Sequence, residues 1–501
     1  MWVSPQSFDQ AWLGEFIDLL KREQPGWLSG VVFGPQVRVS LPRLRELVPA
    51  RYPIRHYPDI AHSRQCQYPV ADWDVAYALT EARECINPRP EAEAAIFRKT
   101  QPLTIGFLTY SEGCNDDVNK AIWSGLGWDP EASVADILRQ YSRYFIGEHY
   151  TDDFAQGLMA LERNWQGPLL ANQSVEVTLQ QFQALERKAS PADLRNWRFQ
   201  QALFRAYYDA YIRHRLIYET DLELQAMASL RRAPEVGVSR AISAATQILE
   251  RSLADHPNPD WRTRIFQLGE ALFQSIGMQL SVEQYQAIAV DRGASLDTLD
   301  FPLNNRRWLE EQFAGIRNLP AAPQQLKALE DIVQWTNPGP GGFYDDLGNI
   351  AAQPHLQRGL GFAQDPGCFQ STRVDFEEDL VVDEPDEDPG VARRLSWIDH
   401  AEALYDSPLQ MVYAGLDPQA RYKVRVLYGG DSPKRKIRLV ANDHTEIHPF
   451  LTKPMPFKPL EFSIAPEATQ QGKLTLNWFG EPGLGGNGRA CQVSEVWLIR
   501  Q

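Results

Sequence analysis

Glu112 stands where a carboxylate can do chemistry. It follows an apolar, β-prone run, Ile105 to Leu108, and precedes Gly113 and then Asn115-Asp116-Asp117, good cap and first-turn residues for a helix. A carboxylate leaving the C-terminal end of a strand that feeds a helix occupies the position where a (β/α)8 barrel carries its catalytic groups. Glycoside hydrolysis uses such positions and usually needs two carboxylates. The plainer alternative is a polar residue leaving a strand and paired with Lys or Arg.

A second group of polar residues closes an earlier strand: Arg55-His56-Tyr57-Pro58-Asp59-Ile60-Ala61-His62-Ser63-Arg64. Asp59 is the candidate second carboxylate, with a sugar-hydroxyl ligand or an Arg partner as its other readings. His56, Tyr57 and His62, together with Tyr110 and Asn115 beside Glu112, are candidate substrate contacts. Trp73, in the loop from Gln65 to Asp74, is a candidate stacking platform at a pocket rim. No metal is expected at His56 and His62, for want of a visible third ligand, and the chain's five cysteines form no CxxC pair. Cys114, two residues after Glu112, either lines the same pocket or is a buried thiol. The glycines at 339, 341 and 342 are not followed by Lys-Ser/Thr, which excludes a P-loop, and no cofactor is expected.

The stretch from Thr104 to Gly147 resembles the α-N-acetylglucosaminidase family of glycoside hydrolases. There a strand ends in Thr-Pro-Glu-Gly, an Asn-containing helix and a Trp follow, and a Tyr-rich helix closes on Tyr-Gly. The counterparts here are Thr109-Tyr-Ser-Glu112-Gly113, Asn115 to Asn119, Trp123 or Trp128, and Tyr141-Ser-Arg-Tyr144-Phe-Ile-Gly147. The resemblance implies that Glu112 is the nucleophile of an exo-acting, retaining enzyme with a carbohydrate substrate. Tyr110-Ser111 replaces the family's Pro before Glu, and Asp116-Asp117 replaces an Asn-Pro step, so the sugar does not carry over. α-Glucuronidases and other (β/α)8 exo-glycosidases are more distant matches. A non-catalytic carbohydrate-binding or scaffold protein, or an inactive glycosidase fragment, is the competing reading.

Composition narrows the partners. A formal net charge of −15 without a basic stripe disfavours nucleic acid and anionic membrane surfaces. No apolar run is long enough to span a bilayer. Fourteen Trp and eighteen Tyr supply rings for sugar stacking, although cores and interfaces account for most of them. Much of the excess acid lies at 375–388, a solvated loop or a calcium-binding tract. The oligomeric state is left open.

The expected fold is multidomain, α/β plus α plus β. Residues 1–117 read as alternating strands and helices: Trp2-Val-Ser, Ser29 to Phe33, Tyr52 to Tyr57 and Thr104 to Thr109, with helices over Phe8 to Arg22, Leu41 to Val48 and Val75 to Glu84 between them. Four such units make the C-terminal half of a (β/α)8 barrel. This suggests an N-terminally truncated chain whose upstream part would carry the acid catalyst and an export signal, hence a secreted or periplasmic location. Residues 118–335 read as an α-helical domain, with helices over Ala135 to Tyr144, Val175 to Arg187, Pro191 to Arg231, Val238 to Leu253, Asp260 to Ile276, Val282 to Val290 and Asn305 to Phe313. Residues 336–501 read as a loop-rich segment, where Asp345-Asp346 meets a ligand or a cation, and then a β-sandwich with strands at 409–413, 422–428, 436–441, 460–464, 473–478 and 492–499. A flexible loop, 483–489, lies between its last strands.

Overall fold

The computed structural model describes residues 1–376, 393–430, 435–482 and 489–501. The chain is a mixture of helices and several sheets. Most of the acidic tract 375–388 and of the loop 483–489 lies outside the described residues. Among those that are described, no helix is long and apolar enough to cross a membrane.

Three short parallel strands open the chain, β1 (Trp2–Val3), β2 (Gly30–Phe33) and β3 (Ile54–His56), in the order β1-β2-β3. Helix α1 (Gln10–Arg22) joins the first two; Asp9 caps it by accepting from the Trp12 amide at 2.8 Å. Helix α2 (Leu41–Leu47), capped by Ser40, joins the next two. The segment from Thr104 lies beside β3 as a fourth parallel line, through the bridges His56↔Phe107 and Asp59↔Tyr110. It is broken rather than a continuous strand, because Pro58 has no amide to offer and Gly106 interrupts the run.

Between these lines run α3 (Val75–Thr80) and α4 (Pro90–Thr100). The first stops short of the expected Glu84, where Glu81 turns extended. The second was not anticipated, although Pro90 at its first position with Glu91 and Glu93 in the first turn is a helix-start signal. Helices α5 (Asp117–Trp128), α6 (Val134–Phe145), α7 (Thr151–Asn164) and α8 (Ser174–Lys188) follow. Of these, α7 and α8 pack on α9 (Trp197–Arg231), 35 residues without Gly or Pro and about 52 Å long. From Phe199 to Arg213 every residue of α9 is buried, the mark of a helix enclosed on all sides. Later helices include Val238–Ala254, Pro259–Ile276, Arg306–Arg317 and Ala322–Val333. The helix expected at 282–290 ends at Tyr285, because Gln286 takes a left-handed conformation (φ 59°) and opens a loop to Gly293.

Among its described residues the C-terminal third holds three antiparallel sheets. One contains the strands Leu409–Ala414, Lys436–Ala441, Thr445–Thr452 and Lys473–Gly480 with the short Leu356–Gln357. A second contains Phe343–Asp346, Tyr422–Leu427, Leu460–Ile464 and Glu495–Arg500, and a third Arg373–Phe376, Asp399–Leu404 and Arg489–Val493. The first two share one apolar core, in which Met411, Leu439 and Trp478 meet Val424, Val426 and Val496. Phe343–Asp346, expected as loop, is a strand because it pairs with the chain's last strand. The single strand expected at 492–499 is two, parted at Ser494 and serving different sheets.

The apolar side chains of β2 and β3, Val31, Phe33 and Ile54, share a core with α1 and α2. One core runs from Ile60 through Trp73, Trp123, Trp165 and the buried half of α9 to Phe376 and Ile398, while a smaller one lies under α1 and α2. The close approach of β1 and β3 to β2 rests on Gly30, where a Cβ would lie 2.6 Å from the Pro53 carbonyl and inside the Trp2 ring. Gly30→Ala is therefore expected to cost about 1–3 kcal/mol. Gly14→Ala, on the open face of α1, is expected to be neutral or to gain up to about 1 kcal/mol. Thermal denaturation of the two variants checks this; equal melting temperatures would show that β2 is not held by this contact.

Candidate active site

Glu112 and Asp59 come from the same end of neighbouring parallel lines. The Asp59↔Tyr110 bridge sets their backbones side by side, and Glu112 lies two residues beyond Tyr110. Between them stands His62, 4% exposed. Its Nδ1 lies 2.8 and 2.9 Å from the two Asp59 oxygens, and its Nε2 lies 3.2 Å from Glu84 Oε1 and 3.8 Å from Glu112 Oε1. Tyr110 stacks on the His62 ring with centroids 5.7 Å apart and donates its hydroxyl to Glu112. Tyr57 packs edge-on against Tyr110 at 6.0 Å. Arg292 closes the cluster: its Nε lies 2.7 Å from Glu84 and its Nη2 3.2 Å from Glu112.

The electrostatics follow from this geometry. Burial alone would raise Asp59, but the hydrogen bond and charge of His62, with the Ala61 and His62 amides, hold it below the usual carboxylate range. Burial alone would lower His62; its bonds to Asp59 and Glu84 outweigh that and raise it. The bond to Glu112, with burial, pushes the Tyr110 hydroxyl up to about 12. Burial, with Asp59 and Glu112 nearby, raises Tyr57 as well. Three carboxylates thus share two cationic groups, Arg292 and the His62 imidazolium. Ligand atoms of His62, Glu84 and Glu112 lie within 4.8 Å of one another, a donor set a metal ion can use. The Arg292 guanidinium already bridges both glutamates, so protein groups supply the balancing charge.

Of the residues singled out in the sequence, Glu112, Asp59, His62, Tyr57 and Tyr110 come together. Three do not serve as expected. His56 is 1% exposed, packed among Phe33, Tyr68 and Trp123; it bonds to the Tyr68 hydroxyl at 3.1 Å, and burial lowers it to about 3. Strand alternation turns it inward with Ile54, away from Tyr57. Trp73 is 2% exposed, against Trp165 at 4.9 Å and Phe376 at 6.3 Å, so its ring faces are taken by the core and offer no stacking platform. Asn115 is buried, and its amide donates to the Ala61 and Cys85 carbonyls, tying loops rather than meeting a ligand. All five cysteines are free, and burial raises the Cys114 thiol.

Two members of the cluster were missed. Glu84 follows α3 on a segment expected to be helical, and nothing in its local sequence distinguishes it. Arg292 lies 180 residues from Glu112 on the loop after Gln286, and only the folded chain brings it there. Of two openings in this part of the chain, the smaller reaches the cluster. A cavity of about 200 Å³ reaches Asp59 and is lined by Gln67, Arg83, Arg373, Tyr405 and Arg489. A broad groove of about 1510 Å³ runs along α5 and α6, with Trp128 and Tyr144 exposed on it.

The Asp59–His62 pair has a pH window. The lowered Asp59 contributes stability above the ordinary carboxylate range, lost as pH falls through its native pKa. The raised His62 contributes below 6.5, lost as pH rises through its own. His62→Gln is therefore expected to lower the melting temperature most between about pH 4 and 6.5, with the gap to wild type shrinking on both sides. A gap independent of pH from 4 to 9 would show that the pair is not ionic.

No protein-family model and no curated protein matches the chain. Among solved structures, a family GH115 4-O-methyl-α-glucuronidase with specificity for decorated arabinogalactans is similar at a TM-score of 0.31 and 8% identity. The match covers 100% of this chain and 58% of that one, so the chain spans little more than half the length of its neighbour.

Proposed function

We propose that this protein is a glycoside hydrolase acting on a carbohydrate or glycoconjugate, exo-acting and retaining, with Glu112 as nucleophile and Glu84 as its partner acid/base. The observation that carries this reading is the pair of Glu84, in the loop after α3, and Glu112, past the end of the fourth parallel line, with ligand oxygens no more than 4.8 Å apart. A separation of about 5–5.5 Å suits a retaining mechanism, and one of about 6.5–9.5 Å an inverting one. In this reading the first four parallel segments are the last units of a (β/α)8 barrel, 118–335 is a helical domain bordering the cleft, and 336–501 contains a β-sandwich that braces it.

The roles follow from each group's surroundings. Asp59 is buried, with both oxygens on His62, which makes it a positioning residue for the imidazole rather than the acid. Substrate displaces Arg292, and His62 Nε2 passes its proton to Glu84 Oε1. Glu84 then protonates the departing glycosidic oxygen while a Glu112 oxygen attacks the anomeric carbon. The C–O bond to the leaving group breaks as the glycosyl–Glu112 ester forms. Water, deprotonated by Glu84, hydrolyses that ester and regenerates Glu112. Tyr110 donates to Glu112 throughout, orienting it for in-line attack.

One observation favours a non-catalytic carbohydrate-binding protein instead: Arg292 and His62 already satisfy both glutamates, as in a purely structural network. A panel of aryl glycosides separates the two. Glu112→Gln is expected to reduce turnover by at least about a thousandfold with the melting temperature unchanged, because the amide keeps the shape and loses the nucleophile. Activity within about tenfold of wild type, only about 1.4 kcal/mol, would remove Glu112 from the chemistry.

A further inference from the structure

Among the described residues, the loop after strand Phe343–Asp346 holds carboxylates that make no ion pair. The two aspartates that begin it part company. Asp345 is fully used: His355 Nδ1 lies 2.9 Å from it, and the Tyr413 hydroxyl donates to it at 3.0 Å. Asp346 points elsewhere: the Gly348 and Asn349 amides face its carboxylate, and its Oδ1 is buried without a hydrogen-bond partner. From a different element, the first residue of strand Asp399–Leu404 reaches the same loop. Asp399 is 2% exposed, and its Oδ1 is likewise buried and unpartnered. Its carboxylate packs directly on Gly348, where any Cβ would fall inside it, so the glycine is what admits the approach.

The surroundings add negative charge. Glu495 is the register partner of Asp346, and its oxygens already accept from Trp335, Tyr344, Ser396 and Trp397. The nearest guanidinium acting on Asp346, that of Arg394, lies over the Trp308 and Trp335 rings at 4.7 and 5.2 Å. Among the described residues neither Asp346 nor Asp399 makes an ion pair. Burial, with Glu495 and a partial offset from Arg394, pushes Asp346 up to about 8, and burial with Asp346 raises Asp399 well above its usual range. Neighbouring carboxylates that each keep a buried, unpartnered oxygen and have no ion pair take up a proton or a cation. The donors are oxygens alone, without His or Cys, which selects a hard cation over zinc or copper.

We propose that Asp346 and Asp399 form a structural calcium site that fastens the 346–349 loop to the start of strand Asp399–Leu404. Calcium suits the place better than magnesium, since it accepts irregular sets of carboxylate, carbonyl and water oxygens where magnesium demands a near-ideal octahedron. The site is independent of the carboxylates around Glu112 and of any reaction there.

The test uses the full chain. Elemental analysis of protein purified without chelator is expected to find one calcium per chain. Chelator is expected to lower the melting temperature by at least about 3 °C, and calcium to restore it, with magnesium restoring less. Asp346→Asn and Asp399→Asn are each expected to abolish the calcium response; calorimetric titration of the wild type with calcium stands whether or not either variant folds. Wild-type protein that holds no calcium and melts identically with and without it would overturn the site in favour of a shared proton. An undiminished response in both variants would also overturn it, placing the ion elsewhere, the acidic tract 375–388 first.

Discussion

A single buried guanidinium holds this architecture together. Arg205, on the enclosed half of α9, is 0% exposed. It pairs with Asp209 one turn on at 3.0 Å, lies 3.4 Å from Glu81, and donates to the Ile86 carbonyl at 2.6 Å. Its charge sits 3.7 Å over the Trp165 ring, and Trp165 and Asn164 also donate to Asp209. Burial pushes Glu81 up to about 8 and raises Asp209 as well, each against the pull of Arg205. Removing one side of such a buried pair costs about 3–5 kcal/mol, comparable to losing a large core side chain. The bond to Ile86 fixes the segment on which Glu84 rides. One turn further along α9, the Tyr208 hydroxyl donates to the Ser295 carbonyl at 2.9 Å and so anchors the chain just past Arg292. One helix thus positions both groups that complete the cluster around Glu112.

That cluster is a problem in charge balance at close range. Asp59, Glu84 and Glu112 converge on one imidazole, and like carboxylates at such distances cannot all stay ionised without compensation. Arg292 provides it, helped by His62, whose bonds to Asp59 and Glu84 favour its charged form. Asp59 gives up solvent altogether to hold His62 in one orientation, while Glu112 keeps part of its surface and an aromatic wall of Tyr57 and Tyr110. The division of labour comes from position along the strands: residues pointing into the core, such as His56, become packing, and residues past the strand ends become available.

How much of this was legible in the sequence depended on the range of the interaction involved. The alternation of strand and helix to Thr104, the length of α9 and most C-terminal strands show in local periodicity, because burial on one face or on all faces writes itself into residue order. Glu112 was legible for the same reason, through the run before it and the caps after it. Trp73 was misread because a polar loop around a Trp looks like a rim, whereas packing against Trp165 and Phe376 is decided by elements far away in the chain. Strand Phe343–Asp346 was missed because its pairing partner is the last strand. Glu84 and Arg292 carried no signal, since ion pairs between residues so far apart in the chain leave no local pattern.

The enclosure of α9 also orders events during synthesis. Its aromatic half packs on residues that precede it, yet the Tyr208 hydroxyl lies between the carbonyls of Thr80 and Ser295, and the Tyr211 hydroxyl donates to Asp300. A nascent chain that has reached Arg231 therefore carries a long amphiphilic rod with open hydrogen-bonding positions, and the carboxylates at 84 and 112 lack their guanidinium. Only when the ribosome has released the region around residue 300 can the rod be sealed and the acidic centre neutralised. Closure of the candidate site and completion of the helical core are thus one late event on the vectorial path. Up to that moment the emerging polypeptide exposes apolar surface of the kind that chaperones cover.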